Sequence, residues 1–157
     1  MKLPDRELIP LIRGAFERGQ NVRMMVTGSS MRPFIMDGDA VELEDIQRLP
    51  QPGQIVQVQM NETKCIMHRV VRIEGQIYHL RGDAHWHSEG PFTTQQLLGR
   101  VVTSRHNHKI RNHKHGIWAI SGWIWMTVHP AGLYLVKGVR GLRKLGNILT
   151  GLIKKSP

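Results

Sequence analysis

The spacing of apolar residues begins with a helical pattern and then changes to a strand pattern. Over residues 1–20, Asp5 fits the N-cap of a helix and Gly19 its end, while Pro10 predicts a kink or a later start. The predicted helix is short and amphipathic. Its apolar residues recur at the three- and four-residue intervals of one helix face: Leu8, Leu11, Ile12 and Phe16.

Residues 21–104 consist of short apolar or alternating runs separated by Gly, Pro and Asp, which is the pattern of strands joined by tight turns. Residues 61–64 and 74–76 are the clearest turns. We therefore predict a mainly β, antiparallel core over residues 21–104. Its predicted strands are residues 22–26, 40–43, 54–60, 65–73, 76–81 and 97–103.

The last third of the chain follows neither pattern. Residues 105–115 are polar, with four histidines and four basic residues, and are predicted to be a surface linker. Residues 116–136 carry no Asp, Glu, Lys or Arg and include three tryptophans, and basic residues then return among Leu, Ile and Gly. Residues 116–157 are therefore predicted to be an apolar and then basic amphipathic tail of two helical segments.

Charge is distributed unevenly between these parts. Residues 1–104 hold twelve Lys and Arg against twelve Asp and Glu, whereas residues 105–157 hold ten Lys and Arg and no acid. All of the net charge of +10 therefore belongs to the final third. Such asymmetry indicates an anionic partner, either lipid headgroups or nucleic acid.

Of these two partners, the tail favours lipid. Tryptophan prefers the headgroup boundary, and the apolar stretch is interrupted by Ser121, His129 and Pro130. We expect residues 116–155 to lie on a membrane surface; a span over residues 116–136 and a flap packed on the core are the alternatives. The N-terminus lacks the apolar run of a signal peptide, so we expect the cytoplasmic face of a bacterial membrane.

The chemistry-bearing residues begin with a serine in a glycine-assisted turn. Ser30 follows Gly28 and Ser29 directly after a predicted strand, so its hydroxyl can be presented outward and a backbone N–H can face an oxyanion. Serine needs an adjacent base, and His68 lies in a later predicted strand. Asp83, at the end of the following strand, could hold the imidazole in the required tautomer. Each of these residues has a structural interpretation when taken alone.

Taken together, five motifs resemble those of signal peptidase I and the related LexA-type self-cleaving proteins. They occur in the family's order over about residues 22–103. They are Gly28-x-Ser30-Met31-x-Pro33, Pro52-Gly53-Gln54-Ile55-Val56, His68-Arg69-Val70-Val71, Arg81-Gly82-Asp83 and Gly99-Arg100-Val101.

The resemblance implies a coiled antiparallel β core and a serine endopeptidase of the histidine subclass, the endoplasmic-reticulum and sporulation type. In that subclass Ser30 attacks, His68 accepts its proton and Asp83 orients His68. Glu89 is similar in position to a second acid of the subclass, and Lys64, on the same predicted strand face as His68, is the fallback base.

An extended leader or signal-like peptide is the substrate that the resemblance implies, and no cofactor is expected. The other histidines, including His85, His87 and the cluster over residues 106–115, match no metal-binding spacing, so no metal site is predicted. Two alternatives stay open. One is an inactive peptidase fold that binds a membrane or, less favoured, nucleic acid through its tail, and the other is a LexA-type self-cleaving regulator.

Overall fold

The computed structural model describes residues 4–128, which form a helix, eight antiparallel strands and a second helix. The helices are α1 (Asp5–Glu17) and α2 (Ile117–Val128). A short 3₁₀ turn at Thr94–Gln96 precedes β7. The strands are β1 (Val22–Met25), β2 (Ala40–Glu44), β3 (Ile55–Asn61), β4 (Lys64–Glu74), β5 (Ile77–Arg81), β6 (Glu89–Thr93), β7 (Leu97–His106) and β8 (Lys109–Asn112).

All described strands belong to one sheet with the order β1-β2-β7-β3-β4-β5-β6, and β8 pairs with β7. The consecutive pairs β3–β4 and β4–β5 are hairpins, as the two predicted turns require. In the first of them, the Asn61 side chain accepts a hydrogen bond from the Thr63 N–H at 3.0 Å. In the second, Gly75 has a positive φ of 60°, which glycine adopts readily.

Both faces of this sheet are covered, because neighbouring residues of a strand enter different cores. Ile55 of β3 belongs to a core beneath α1 that includes Ile12, while Val56 packs with Tyr78 in a second core. Side chains alternate along a strand, so a coiled sheet can bury both faces in this way. The predicted coiled antiparallel architecture is confirmed.

Two details of the N-terminal helix differ from the sequence pattern. Pro4 is the N-cap and Asp5 the first helical residue, and Pro10 lies inside the helix, so the alternative of a later start does not apply. The helix ends as predicted, because Gly19 takes a φ of 69° and its N–H donates to the Phe16 carbonyl at 2.8 Å.

The predicted linker over residues 105–115 is instead part of the sheet. β7 continues to His106, and β8 returns beside it with Ser104 paired to Arg111. His113 is buried, and its Nε2 lies 2.8 Å from Ser104 Oγ. Edge pairing to β7 stabilises this polar hairpin, and alternation of apolar residues does not reveal it.

Helix α2 is the described part of the predicted tail, and it packs on the core through one face. Trp118 and Trp125 meet the Phe34 ring edge-on, with centroids 6.5 and 5.5 Å away. Its other face leaves large apolar side chains exposed. No helix within residues 4–128 is long and apolar enough to cross a bilayer. The rest of the predicted tail, residues 129–157, lies outside the described residues.

Candidate active site

Ser30 lies in the loop between β1 and β2, and two carboxylates fix this loop on either side of it. Gly28 has a φ of 103°, and its N–H donates to Asp37 Oδ1 at 2.8 Å. Farther along, the N–H of Met36 donates to Asp39 Oδ2, also at 2.8 Å. Carboxylate bonds to backbone N–H groups are strong, so the path of the loop around Ser30 is well defined.

The predicted oxyanion turn, Gly28-Ser29-Ser30, offers the Ser30 N–H as a candidate donor. The Gly28 N–H is already taken by Asp37, and the carbonyl of the exposed Ser29 accepts from the Arg32 N–H at 3.3 Å. Within residues 4–128, no acceptor is paired with the Ser30 N–H. That N–H is therefore available to stabilise a developing oxyanion.

His68 is buried in the middle of β4 beside an acid. Its side chain is 4% exposed, and its Nδ1 lies 3.3 Å from Glu89 Oε2 at the beginning of β6. Burial lowers the pKa of His68 below its ordinary value of 6.5; the nearby His85 lowers it further, while the Glu89 carboxylate opposes the shift. The imidazole is therefore neutral near pH 7, which is the form that accepts a proton.

Ser30 and His68 line the same cavity, of about 150 Å³, on one side of the sheet. No hydrogen bond joins the Ser30 hydroxyl to the imidazole in the described chain, and catalytic bonds often tighten only when substrate is present. The cavity lies between β1 and β4. Its apolar wall includes Met24, Met25, Val26, Cys65, Ile66 and Met67.

Gly82 lies next to both the serine loop and the side chain of His68. A Cβ at this position would lie 2.8 Å from the Ser30 carbonyl oxygen and 3.0 Å from His68 Nε2. The same carbonyl accepts a hydrogen bond from the Ala84 N–H at 2.8 Å. Nε2 is thus the ring nitrogen on the Ser30 side, whereas Nδ1 lies toward Glu89.

Asp83 is held by Arg69, which corrects its predicted role as the acid that orients His68. Arg69 Nε donates to Oδ1 at 2.7 Å and Nη2 to Oδ2 at 2.6 Å, and both side chains are 2% exposed. Neighbouring residues of a strand point to opposite sides of the sheet. Because Asp83 pairs with Arg69, it lies on the side of β4 opposite to the His68 side chain. Asp83 therefore has a structural role beside the site.

Of the two remaining candidates, Glu89 lies beside His68, whereas Lys64 does not line the cavity. Glu89, predicted as a secondary acid, is the carboxylate beside His68. Lys64, the fallback base, is exposed at the first residue of β4 and is absent from the lining of the Ser30 cavity. Four residues of a strand span about 13 Å, so the Lys64 backbone is distant from that of His68, although the two residues share the predicted strand face.

Sequence reasoning missed three residues of this region, namely Arg69, Gly82 and His85. One ring nitrogen from each of His68 and His85 and one Glu89 oxygen lie within 4.8 Å of one another. His68, His85 and Glu89 come from different elements, so spacing along the chain does not reveal this cluster. Arg69 did carry a signal in the sequence, because it lies within an apolar predicted strand. A buried arginine there needs a carboxylate partner.

Comparison with known proteins supports the family resemblance. Residues 3–102 match the family model described as Peptidase S24-like, a range that includes all of the predicted site residues. No curated protein matches the chain.

Proposed function

Since the chain belongs to the Peptidase S24-like family, whose fold is that of serine peptidases and LexA-like self-cleaving proteins, we propose that it is a serine endopeptidase of the signal-peptidase type. Ser30 is the nucleophile and His68 the general base. The observation that carries the proposal is that both line one cavity, with the Ser30 main chain and His68 Nε2 both next to Gly82.

Each step of acyl transfer then has a group in the described site. The Ser30 hydroxyl attacks the scissile carbonyl while its proton passes to His68 Nε2, and the Ser30 N–H stabilises the oxyanion. Glu89 stabilises the Nδ1–H of the imidazolium, which then gives its proton to the leaving amine. Water, activated by the same imidazole, hydrolyses the acyl-enzyme and frees Ser30.

An extended peptide fits the surroundings of this site. β1 is the last strand on one side of the sheet, so its outer edge can pair with an added strand. The cavity beside Ser30 lies between β1 and β4, and its small volume of about 150 Å³ favours a small apolar side chain next to the cleaved bond. We infer that the substrate is an extended leader or signal-like segment.

Covalent labelling of Ser30 tests the proposal. The full chain is treated with a serine-reactive phosphonate probe, and the modified residue is located by mass spectrometry. We expect labelling of wild type, none of Ser30→Ala and at least about a hundredfold slower labelling of His68→Ala, since general-base catalysis contributes about 10²–10⁴-fold. Ser88→Ala, which changes an exposed serine in the loop between β5 and β6, is the matched control.

Two outcomes would overturn this assignment. Labelling that persists in Ser30→Ala, or that is unaffected by His68→Ala, would remove the proposed nucleophile or base. A pair of fragments from wild type and not from Ser30→Ala, detected by intact mass without added peptide, would instead indicate self-cleavage.

We also propose an anionic membrane surface as the partner of the C-terminal part of the chain. The outer face of α2 exposes Ile117, Ile120, Trp123 and Ile124 to solvent, with Trp123 61% exposed. Residues 105–157 hold ten basic residues and no acid. Apolar side chains beside excess positive charge favour anionic lipid. Burial of the apolar side chains and attraction of the basic residues to the headgroups both contribute to binding at a membrane surface.

A further inference from the structure

A cluster of two histidines and one glutamate lies beside the proposed base, and His85, one of its members, has no part in the proposed reaction. His68 Nδ1 is 3.3 Å from Glu89 Oε2, and His85 Nδ1 is 4.0 Å from Glu89 Oε1. The His68 and His85 rings meet edge-on, with centroids 5.5 Å apart. Three potential ligand atoms therefore converge on one point.

Two of these atoms are buried without a satisfactory hydrogen bond. Within the described chain, neither His68 Nδ1 nor Glu89 Oε2 has a hydrogen-bond partner of acceptable geometry. The His68 side chain is nevertheless only 4% exposed. Buried polar atoms are nearly always paired, and leaving one unpaired costs about 1–3 kcal/mol. A ligand at this point would satisfy both atoms.

The spacing suits a tetrahedral zinc ion. With Zn–N and Zn–O bonds of about 2.0–2.1 Å, two ligand atoms at the tetrahedral angle are about 3.3 Å apart. His68 and Glu89 already have this separation. His85 is 46% exposed, so closing its distance of 4.0 Å from Glu89 Oε1 requires movement of one partly exposed side chain.

The chemistry of the donors also favours zinc over the hard cations. Two imidazoles with one carboxylate are a common zinc set that leaves a fourth position open. Magnesium and calcium prefer oxygen ligands, and the cluster offers one carboxylate.

We propose that His68, His85 and Glu89 bind a zinc ion that reversibly inhibits the peptidase. The zinc site is inferred from the three-residue cluster alone, whereas its inhibitory effect depends on the proposed function. Zinc on Nδ1 of a neutral imidazole leaves the remaining ring proton on Nε2, which lies on the Ser30 side. Such an imidazole cannot accept the Ser30 proton, and Glu89 is withdrawn from its role beside Nδ1 at the same time.

Zinc binding is measured first, without reference to activity. The full chain is stripped of metal with a chelator, and zinc affinity is determined by calorimetry for wild type, His85→Asn and His87→Asn. His87 is an exposed histidine of the same loop outside the cluster, and weaker sites elsewhere in this His-rich chain are common to all three proteins. We expect His85→Asn to weaken the tightest site at least about tenfold and His87→Asn to leave it unchanged.

The effect on the base is measured second, as the rate of Ser30 labelling. Zinc should stop labelling of wild type and His87→Asn, a chelator should restore it, and His85→Asn should need at least about tenfold more zinc relative to its own metal-free rate. Equal zinc affinities of the two histidine variants, or labelling that continues at saturating zinc, would overturn the inference. If metal-free wild type is not labelled, the proposed function fails, and the calorimetric comparison alone decides the zinc site.

Discussion

Two adjacent residues of β4, His68 and Arg69, each contact a different acid. Because side chains alternate along a strand, His68 meets Glu89 on one side while Arg69 meets Asp83 on the other. The first pair borders the cavity of Ser30. The second is almost completely buried and connects β4 to the segment that carries Gly82, so it positions the site and does not take part in proton transfer.

Replacing each acid by its amide should therefore give opposite results. Asp83→Asn leaves the buried Arg69 charge without its partner, so the free energy of unfolding should fall by about 3–5 kcal/mol. Glu89→Gln should change it by less than about 1 kcal/mol, because Glu89 is 35% exposed, yet slow Ser30 labelling by up to about 10⁴-fold. Urea unfolding and labelling rates measure the two effects. A larger loss of stability from Glu89→Gln than from Asp83→Asn would contradict these roles.

At the scale of the elements, the β7–β8 hairpin contains a buried titratable group. Burial and, to a smaller extent, the nearby charges of Arg69 and Arg111 together lower the pKa of His113 to about 4. Its Nε2 lies 2.8 Å from Ser104 Oγ, which is also buried. The folded chain thus holds His113 neutral, whereas the unfolded chain protonates it near the ordinary value of 6.5.

The hairpin should therefore weaken in mild acid. The unfolded state binds more protons between about pH 6.5 and pH 4, so stability is complete above this window and is lost as the pH falls through it. At pH 5 the loss from this one group is about 2 kcal/mol. Urea unfolding at pH 7 and pH 5 should show a smaller acid-induced loss in His113→Gln than in wild type. His115→Gln, which changes an exposed histidine, should keep the full loss, and equal losses in all three proteins would contradict the assignment.

The elements also show what the sequence reveals and what it hides. Six strands were predicted because alternating apolar residues and Gly turns mark them. β6 was missed because Gly90 and Pro91 interrupt it and Phe92 is its one buried residue, while β8 is polar and held by pairing to β7. Ser30 and His68 were predicted through motifs. The pairing of Asp83 with Arg69 was not predicted, because it depends on which side of β4 each side chain enters, a matter of register between strands that are distant in sequence.

At the scale of the whole molecule, positive charge is concentrated in the last third of the sequence, and among the described residues α2 exposes the most large apolar side chains. The first 104 residues are electrically balanced, whereas the remainder is strongly basic and α2 exposes an apolar face. Burying one large apolar side chain contributes about 1.5–3 kcal/mol, so two such residues determine a measurable share of membrane affinity.

Binding of the full chain to lipid vesicles should depend on this face. We expect salt-sensitive binding to vesicles containing anionic lipid, weakened at least about tenfold by Ile120→Ser combined with Trp123→Ser. Leu11→Ser, which changes an exposed leucine of α1, is the control and should bind as wild type does. Co-sedimentation measures the affinities. Equal binding by the double variant, or stronger binding to nucleic acid than to vesicles, would contradict the membrane assignment.

Gly122 allows α2 to approach closely the strand that carries the proposed base. A Cβ there would overlap the Arg69 guanidinium, so the absence of a side chain allows α2 to rest directly on the residue next to the base. An α-helix with its side chains is about 10–12 Å thick. If lipid holds the outer face of α2, the strand carrying His68 works roughly one helix thickness from the headgroups. Peptide bonds just outside a membrane would then be within reach, and bonds deep in a folded domain would not.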